Sequence, residues 1–269
     1  MNHKKITIIG GGLTGLTLSY LLKKKDFSST ILEARDRSGG RIYTKYRPET
    51  TPVEMGATWY ANNHIQIQRL LQELNIGTFK QDQGGRAIYE PISTSPPQLV
   101  PLPPNEDPSF RIRGGTSTII NQMVDALDPK TLLLDHAVKS IAKNKDGFKI
   151  ETNKEVFHSD ILVSTLPPFL LNKSIAFNPR LPSDFTDVAE HTHTWMGESI
   201  KIALTYKEPF WRNKDSSGTI FSNVGPISEM YDHSNYENNQ FALKGFLNSA
   251  YSATTKKQRI DTILKQLQK

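Results

Sequence analysis

The sequence predicts an α/β fold: a parallel sheet with a crossover helix, joined to a smaller α+β domain. Three observations predict it. The short apolar run Ile6-Thr7-Ile8-Ile9 ends in glycine, as a strand buried on both faces does. A helical stripe of Leu13, Leu16, Leu18, Leu21 and Leu22 follows and ends in Lys23-Lys24-Lys25, cations that suit a helix C-terminus. Thr30-Ile31-Leu32 is then a second strand, and strand, glycine turn, helix, strand in about thirty residues is a right-handed crossover unit.

The remaining elements follow the same logic. His64–Leu74 reads as a helix behind an Asn62-Asn63 cap. Pro91–Pro108 holds seven prolines, which excludes helix and central strand and predicts an extended loop or a crossing between domains. After Gly114-Gly115, the residues Ile119, Ile120, Met123, Val124 and Leu127 form another helical stripe. Leu132–Leu134, Ala137–Ile141, Phe148–Thr152 and Ile161–Thr165 read as strands, with Lys145-Asp146-Gly147 as a hairpin turn. Ser199–Tyr206 and Gln240–Leu247 are further strands, and Thr255–Gln268 is a closing helix.

Composition narrows the classes. The 269 residues allow one large domain or two interleaved ones. With 36% hydrophobic and 22% charged residues, the chain is neither disordered nor membrane-embedded by bulk composition. The absence of cysteine excludes disulfides, thiolate zinc sites and a cysteine nucleophile, and it suits a reducing, cytoplasmic location. The formal charge of +6 is spread along the chain without a basic block, so nucleic acid is not an expected partner. Met1–Lys5 followed by apolar Ile6–Leu22 imitates a signal peptide, but the glycines within it and the lysine stop argue against one, and no membrane span is expected. His191-Thr192-His193 lacks a third ligand nearby, so no metal site is expected.

Gly10-Gly11-Gly12-Leu13-Thr14-Gly15 is a G-x-G-x-x-G motif placed between strand and helix. Gly10 permits the tight turn, Gly12 lets backbone approach a pyrophosphate, and Gly15 lets the helix pack on the strand. The free N–H groups of the helix start then face the phosphates. Glu33 ends the second strand, where a carboxylate accepts hydrogen bonds from both ribose hydroxyls and repels a 2′-phosphate; a solvated strand-end carboxylate is the plain alternative. This is a Rossmann-like dinucleotide site.

Glu33-Ala34-Arg35-Asp36-Arg37-Ser38-Gly39-Gly40-Arg41 resembles the second signature of the flavin-dependent amine oxidases, a ribose-binding glutamate followed by a glycine pair and an arginine. Glu54-Met55-Gly56-Ala57-Thr58-Trp59 is similar to the segment that lays backbone against the flavin ring in that family. Arg113-Gly114-Gly115, Ser164-Thr165-Leu166-Pro167-Pro168 and Val138, which matches the valine whose backbone holds adenine, extend the resemblance. So does Met196–Tyr206 followed by Pro209-Phe210-Trp211-Arg212, in which Lys201 matches the lysine that holds a water against the flavin. On strand alternation alone Lys201 is an ordinary solvent-facing residue, turned away from Ile200 and Ile202.

The resemblance implies FAD as cofactor and oxidation of an amine to an imine, with oxygen as acceptor and hydrogen peroxide as product. It implies cofactor contacts at Gly10, Gly12, Leu13, Thr14, Gly15, Glu33, Ala34, Arg35, Gly39, Gly40, Arg41, Gly56, Ala57, Thr58, Trp59 and Val138, and a catalytic role for Lys201. The expected FAD domain is 1–61 with 110–168, and the expected substrate domain is 62–109 with 169–269. Family members carry a further C-terminal stretch, so a second chain or a second copy of this one is expected to cover the flavin. Two other readings share the N-terminal motifs: a non-catalytic FAD-binding remnant or partner subunit, and an FAD-dependent desaturase or protoporphyrinogen-oxidase-like enzyme.

Overall fold

The apolar run at the start of the chain forms the interior of a four-stranded parallel sheet. In the computed structural model, which describes residues 4–82 and 84–268, Ile6–Ile9 pairs with Ile161–Ser164 on one side and Ser29–Leu32 on the other, and Leu132–Leu133 closes the order. All four residues of Ile6–Ile9 are buried, as a strand covered on both faces requires. The crossover helix is Leu13–Lys23. It ends two residues before the expected Lys25, because Lys23 turns to the Ala126 carbonyl and Asp128 while Asp26 adopts a left-handed conformation.

A second sheet lies in the order Val156–Ser159, Gly147–Thr152, Val138–Asn144, Ala176–Asn178. Its hairpin closes at Lys145-Asp146, as expected, and its last pairing is parallel. Ile9 and Leu32 of the first sheet share one core with Val138, Ile141, Ile150 and Ile175. These elements, 4–42 with 119–195, make one compact unit.

The other unit, 43–118 with 196–268, is the larger. Its sheet has six strands in the order Lys201–Tyr206, Phe241–Leu247, Ile227–Asp232, Ser216–Ser222, Arg86–Glu90, Gln98–Pro101. Every pairing is antiparallel except that of Ser216–Ser222 with Arg86–Glu90. One face packs Ile202, Leu204, Ile227, Met230, Leu243 and Leu247 around Trp211 and Ile263. Ile263 comes from the helix Lys256–Leu267, which starts in a Thr255/Gln258 capping box.

Two expectations change. The helix Ile65–Glu73 is entered through His64, not capped by Asn62-Asn63; the Asn62 amide instead reaches Asp107 at 3.0 Å. The proline-rich stretch is not all loop, since Gln98–Pro101 is a strand, but it is the outermost one, where a missing N–H costs no ladder bond. Residues 43–61 and 110–118 belong with the second unit and 169–195 with the first.

Buried polar bonds tie 43–61 to 110–118 within the second unit. The Glu54 carboxylate accepts from the Thr116 N–H at 2.5 Å and the Thr44 hydroxyl at 2.9 Å, and Thr44 and Ser117 bond reciprocally at 2.9 Å. Pairing ties 169–195 to the first unit, because Ala176–Asn178 adds to Val138–Asn144 and brings Ile175 into that core. Among the described residues, no helix is long and apolar enough to cross a membrane, and no cluster of side chains suits a metal ion.

Candidate active site

In the first unit the glycine motif is held by its own backbone. Gly10 sits at φ +108°, and a Cβ on Gly15 would run into the Gly10 carbonyl, so both positions exclude a side chain on local grounds. Gly11 is constrained as well, although the motif leaves it free: a Cβ there would lie 3.0 Å from the Glu33 Cβ and 3.2 Å from Leu132. Gly12 differs. A Cβ on it would meet only the Gly40 Cα, at 3.8 Å, so the space beyond Gly12 is open where a pyrophosphate would approach.

The second signature folds directly against this loop. The Gly39 N–H donates to the Gly11 carbonyl at 2.8 Å, and Gly12 and Gly39 form an isolated bridge. Gly40 takes φ +57° beside Gly12. Glu33 is buried and accepts from the Gly11 N–H at 2.7 Å and the Arg35 N–H at 3.0 Å, one bond to each carboxylate oxygen. Each oxygen retains acceptor capacity for a ribose hydroxyl.

The arginines divide their work in a way the sequence did not reveal. Arg37 staples the loop, donating to the carbonyls of Ser38, Gly40 and Ile42 at 3.1, 3.0 and 3.3 Å, and Arg35 also reaches Gly40 at 3.2 Å. Arg41 is exposed and spans to the Trp195 carbonyl at 3.4 Å. Ala34 leaves the strand next to Glu33, while Leu13 and Thr14 open the helix. The His136 N–H donates to the Glu33 carbonyl at 2.8 Å, and Val138 follows two residues on. The parallel pairing of that strand begins only at Ser140. These residues fit the adenosine diphosphate half of a dinucleotide: open space at Gly12 and a buried acceptor at Glu33.

In the second unit Lys201 lies on the sheet face opposite the apolar core. Its ammonium donates to the Gly56 carbonyl and, at 3.4 Å, to the Thr58 hydroxyl. Of the segment expected beside a flavin ring, Gly56 and Thr58 therefore touch Lys201, Ala57 is exposed, and Trp59 is anchored by Gln81 at 3.0 Å. Trp59 stacks edge-on with Tyr231 at 5.3 Å, and Lys201 lies 4.8 Å from the Phe246 ring centre. The strand register aligns Lys201 with Phe246, Phe246 with Glu229, and Lys244 with Tyr231. Alternation then puts Lys201, Lys244, Phe246, Glu229, Tyr231 and Phe221 on one face.

Lys244 is the residue sequence reasoning missed. It is 0% exposed, donates to Thr58 Oγ1, and sits 4.1 Å from the Trp59 ring centre and 5.1 Å from that of Phe246. Burial, with the charge of Lys201 next, pushes its pKa down to about 6. Burial lowers Lys201 too, opposed first by its hydrogen bond with Lys244 and then by Glu54 and Glu229. Glu54 is raised by burial despite its donors. Arg111, which donates to the Ser234 carbonyl at 2.8 Å, is lowered to about 10 by burial.

His233 is fully buried and held well below its ordinary value by burial and by Arg111, Lys244 and Lys201. Its Nε2 accepts the Glu54 N–H at 3.3 Å, and its Nδ1 has no partner among the described residues. The one signal available for Lys244 was a lysine inside the apolar run Phe241–Leu247, whose meaning depends on register.

Comparisons with known proteins agree on one relationship. The profile of flavin containing amine oxidoreductases matches residues 92–269, and that of an NAD(P)-binding Rossmann-like domain matches residues 8–74. Human amine oxidase [flavin-containing] B is 24% identical over 91% of this chain, and the match spans 66% of that protein's length. A probable flavin-containing monoamine oxidase A from Dictyostelium discoideum is 23% identical, over 90% of this chain and 74% of its own. Among solved structures, putrescine oxidase bound to putrescine superposes with a TM-score of 0.84 at 20% identity, covering 98% of this chain and 80% of that one. Cyclohexylamine oxidase from Brevibacterium oxydans IH-35A superposes equally well at 16% identity, with the same coverage. The chain thus spans about two thirds of the length of the amine oxidase B relatives it matches.

Proposed function

The chain belongs to the flavin containing amine oxidoreductase family, and from this premise we propose that it binds FAD and oxidises an amine to an imine, with oxygen as acceptor and hydrogen peroxide as product. The observation that carries this reading is the anchored Lys201 on an aromatic sheet face, tied to the Gly56-Ala57-Thr58-Trp59 segment by two hydrogen bonds. Bound FAD would supply the two-electron acceptor for the C–H bond next to the amine nitrogen.

The chain's residues do the binding and orienting. Glu33 accepts from the ribose, Gly10, Gly12 and Gly15 let main chain approach the pyrophosphate, and Leu13 and Thr14 present helix N–H groups. Ala34, Arg35, Gly39 and Gly40 shape the loop, Arg41 offers a planar donor fork, and Val138 presents backbone to the adenine. Gly56, Ala57, Thr58 and Trp59 form the surface against which the ring is laid. Lys201 holds a water, and this water serves reoxidation or hydrolysis of the imine.

The substrate reading is finer. Glu229 lies among Phe221, Tyr231 and Phe246 and accepts the Tyr231 hydroxyl at 2.7 Å. A carboxylate among aromatic faces suits a substrate that carries a second cationic group, as the putrescine of a solved relative does. The test is to load the purified chain with FAD and follow its visible spectrum, peroxide release over a panel of amines, and the mass of the complex. A perturbed, saturable flavin spectrum with amine-dependent peroxide supports the reading, and a complex larger than one chain supports the expected second subunit or copy. A folded chain that takes up no FAD refutes the cofactor assignment. FAD uptake without turnover of any amine leaves a flavin-binding partner subunit as the function.

A further inference from the structure

Lys201 and Lys244 converge on one hydroxyl. Thr58 Oγ1 receives both amino groups and faces the Gly56 carbonyl at 3.3 Å, the same carbonyl that Lys201 uses. A threonine hydroxyl has two acceptor sites and one donor, so this arrangement saturates it. The Trp59 and Phe246 rings enclose the two nitrogens at 4.1 to 5.1 Å. An aromatic enclosure favours one cation, while two ammonium groups on one hydroxyl repel each other at a range where burial removes screening.

The surroundings decide which lysine keeps the charge. Lys244 is fully buried and its acceptor is a hydroxyl rather than a carboxylate. Lys201 is only partly buried and is favoured as a cation by its hydrogen bond with Lys244 and by Glu54 and Glu229. Arg111 opposes charge on Lys244, Glu54 favours it, His233 is held neutral, and Tyr231 across the register stays a phenol.

We propose that Lys244 is a positioning residue for Lys201: a neutral amine seated on Thr58 that keeps the Lys201 ammonium on the Gly56 carbonyl, and that acid dislodges by charging the second nitrogen. In this arrangement the pair carries one positive charge rather than two. The coupling itself stands on the second unit alone; its bearing on turnover rests on the amine-oxidase reading above.

Lysine labelled with 13C at Cε tests this in the FAD-loaded chain between about pH 5 and 9, with Lys244→Met and Lys201→Met assigning the two signals. The expected result is a signal titrating near the value of about 6 that vanishes in Lys244→Met and moves up by about a unit or more in Lys201→Met. A Lys244 signal that stays an ammonium through pH 8, or whose midpoint ignores loss of Lys201, overturns the proposal. Lys244→Gln serves as the second variant if the methionine form does not fold. If the oxidase reading holds, the acid limb of the kcat/KM profile shifts down in Lys244→Met, whereas loss of packing alone would lower the whole profile without moving it. An acid limb that stays in place overturns the link to turnover. Coupled lysine signals in a chain that oxidises no amine would sustain the pair and defeat the oxidase reading instead.

Discussion

Replacing Lys244 with methionine should make the protein more stable, by an amount that depends on pH. Folding takes the amino group from a pKa of 10.5 to about 6. Between those values the unfolded chain binds a proton that the folded chain does not. Native stability therefore rises with pH across this window and is level below it. Holding the amine neutral at pH 7 costs 10.5 − 7 = 3.5 units, or about 5 kcal/mol at 1.36 kcal/mol per unit.

Methionine removes that cost and keeps most of the aliphatic volume between Trp59 and Phe246, while the lost bond to Thr58 subtracts about 1 kcal/mol. A net gain of roughly 2–4 kcal/mol at pH 7 follows once imperfect repacking is included. The assay is urea denaturation of both proteins at pH 7, 8 and 9. The difference should shrink by about 1.4 kcal/mol per pH unit. A constant difference, or one that grows with pH, would mean that Lys244 is charged in the folded protein and that the burial argument is wrong.

Other predictions test the site residue by residue. Lys201→Met should slow turnover by about 100-fold, the scale of one positioned proton-handling or charge-stabilising group, while leaving FAD uptake intact; unchanged oxidation and reoxidation in stopped-flow would remove Lys201 from the chemistry. Glu33→Gln should weaken FAD binding by about 10- to 100-fold, consistent with a charge-assisted hydrogen bond of roughly 1.5–3 kcal/mol, measured by flavin fluorescence titration. Gly15→Ala should abolish FAD retention and lower the melting temperature, because the added Cβ meets the Gly10 carbonyl; normal flavin content after purification would contradict this. Glu229→Gln should raise KM for a diamine about 10-fold with little change for cyclohexylamine, the difference expected when a cation loses about 1.4 kcal/mol of pairing; equal effects on both would show that Glu229 does not read the second charge.

Local interactions made the first part of the fold legible in the sequence. The strand, glycine turn, helix and second strand come from residues within a few turns of each other, and the structure returns them within two or three residues of where the patterns end. The helix Ser117–Ala126 and the hairpin at Lys145-Asp146 were legible for the same reason. Ser216–Ser222 and Ile227–Asp232 were not, because their buried positions include Ser216, Thr219, Ser222 and Asp232. Two of those polar groups are satisfied by partners that arrive from elsewhere: Ser222 bonds Glu90 at 2.7 Å, and Asp232 receives Trp211 and Arg212 at 2.8 Å.

The site divides along the same line. The order of Gly10, Gly12, Gly15 and Glu33 by itself determined a dinucleotide cradle, since one turn and one strand end bring them together. The sequence alone could not separate a functional Lys201 from a solvated one, and it gave no reason to pair it with Lys244, 43 positions away. That pairing depends on antiparallel register, which sets Lys201 opposite Phe246 and Ala203 opposite Lys244 and turns both amino groups to one face. Register is decided by which faces bury against the Trp211 and Ile263 core, so only the tertiary structure decided that two lysines meet on one threonine.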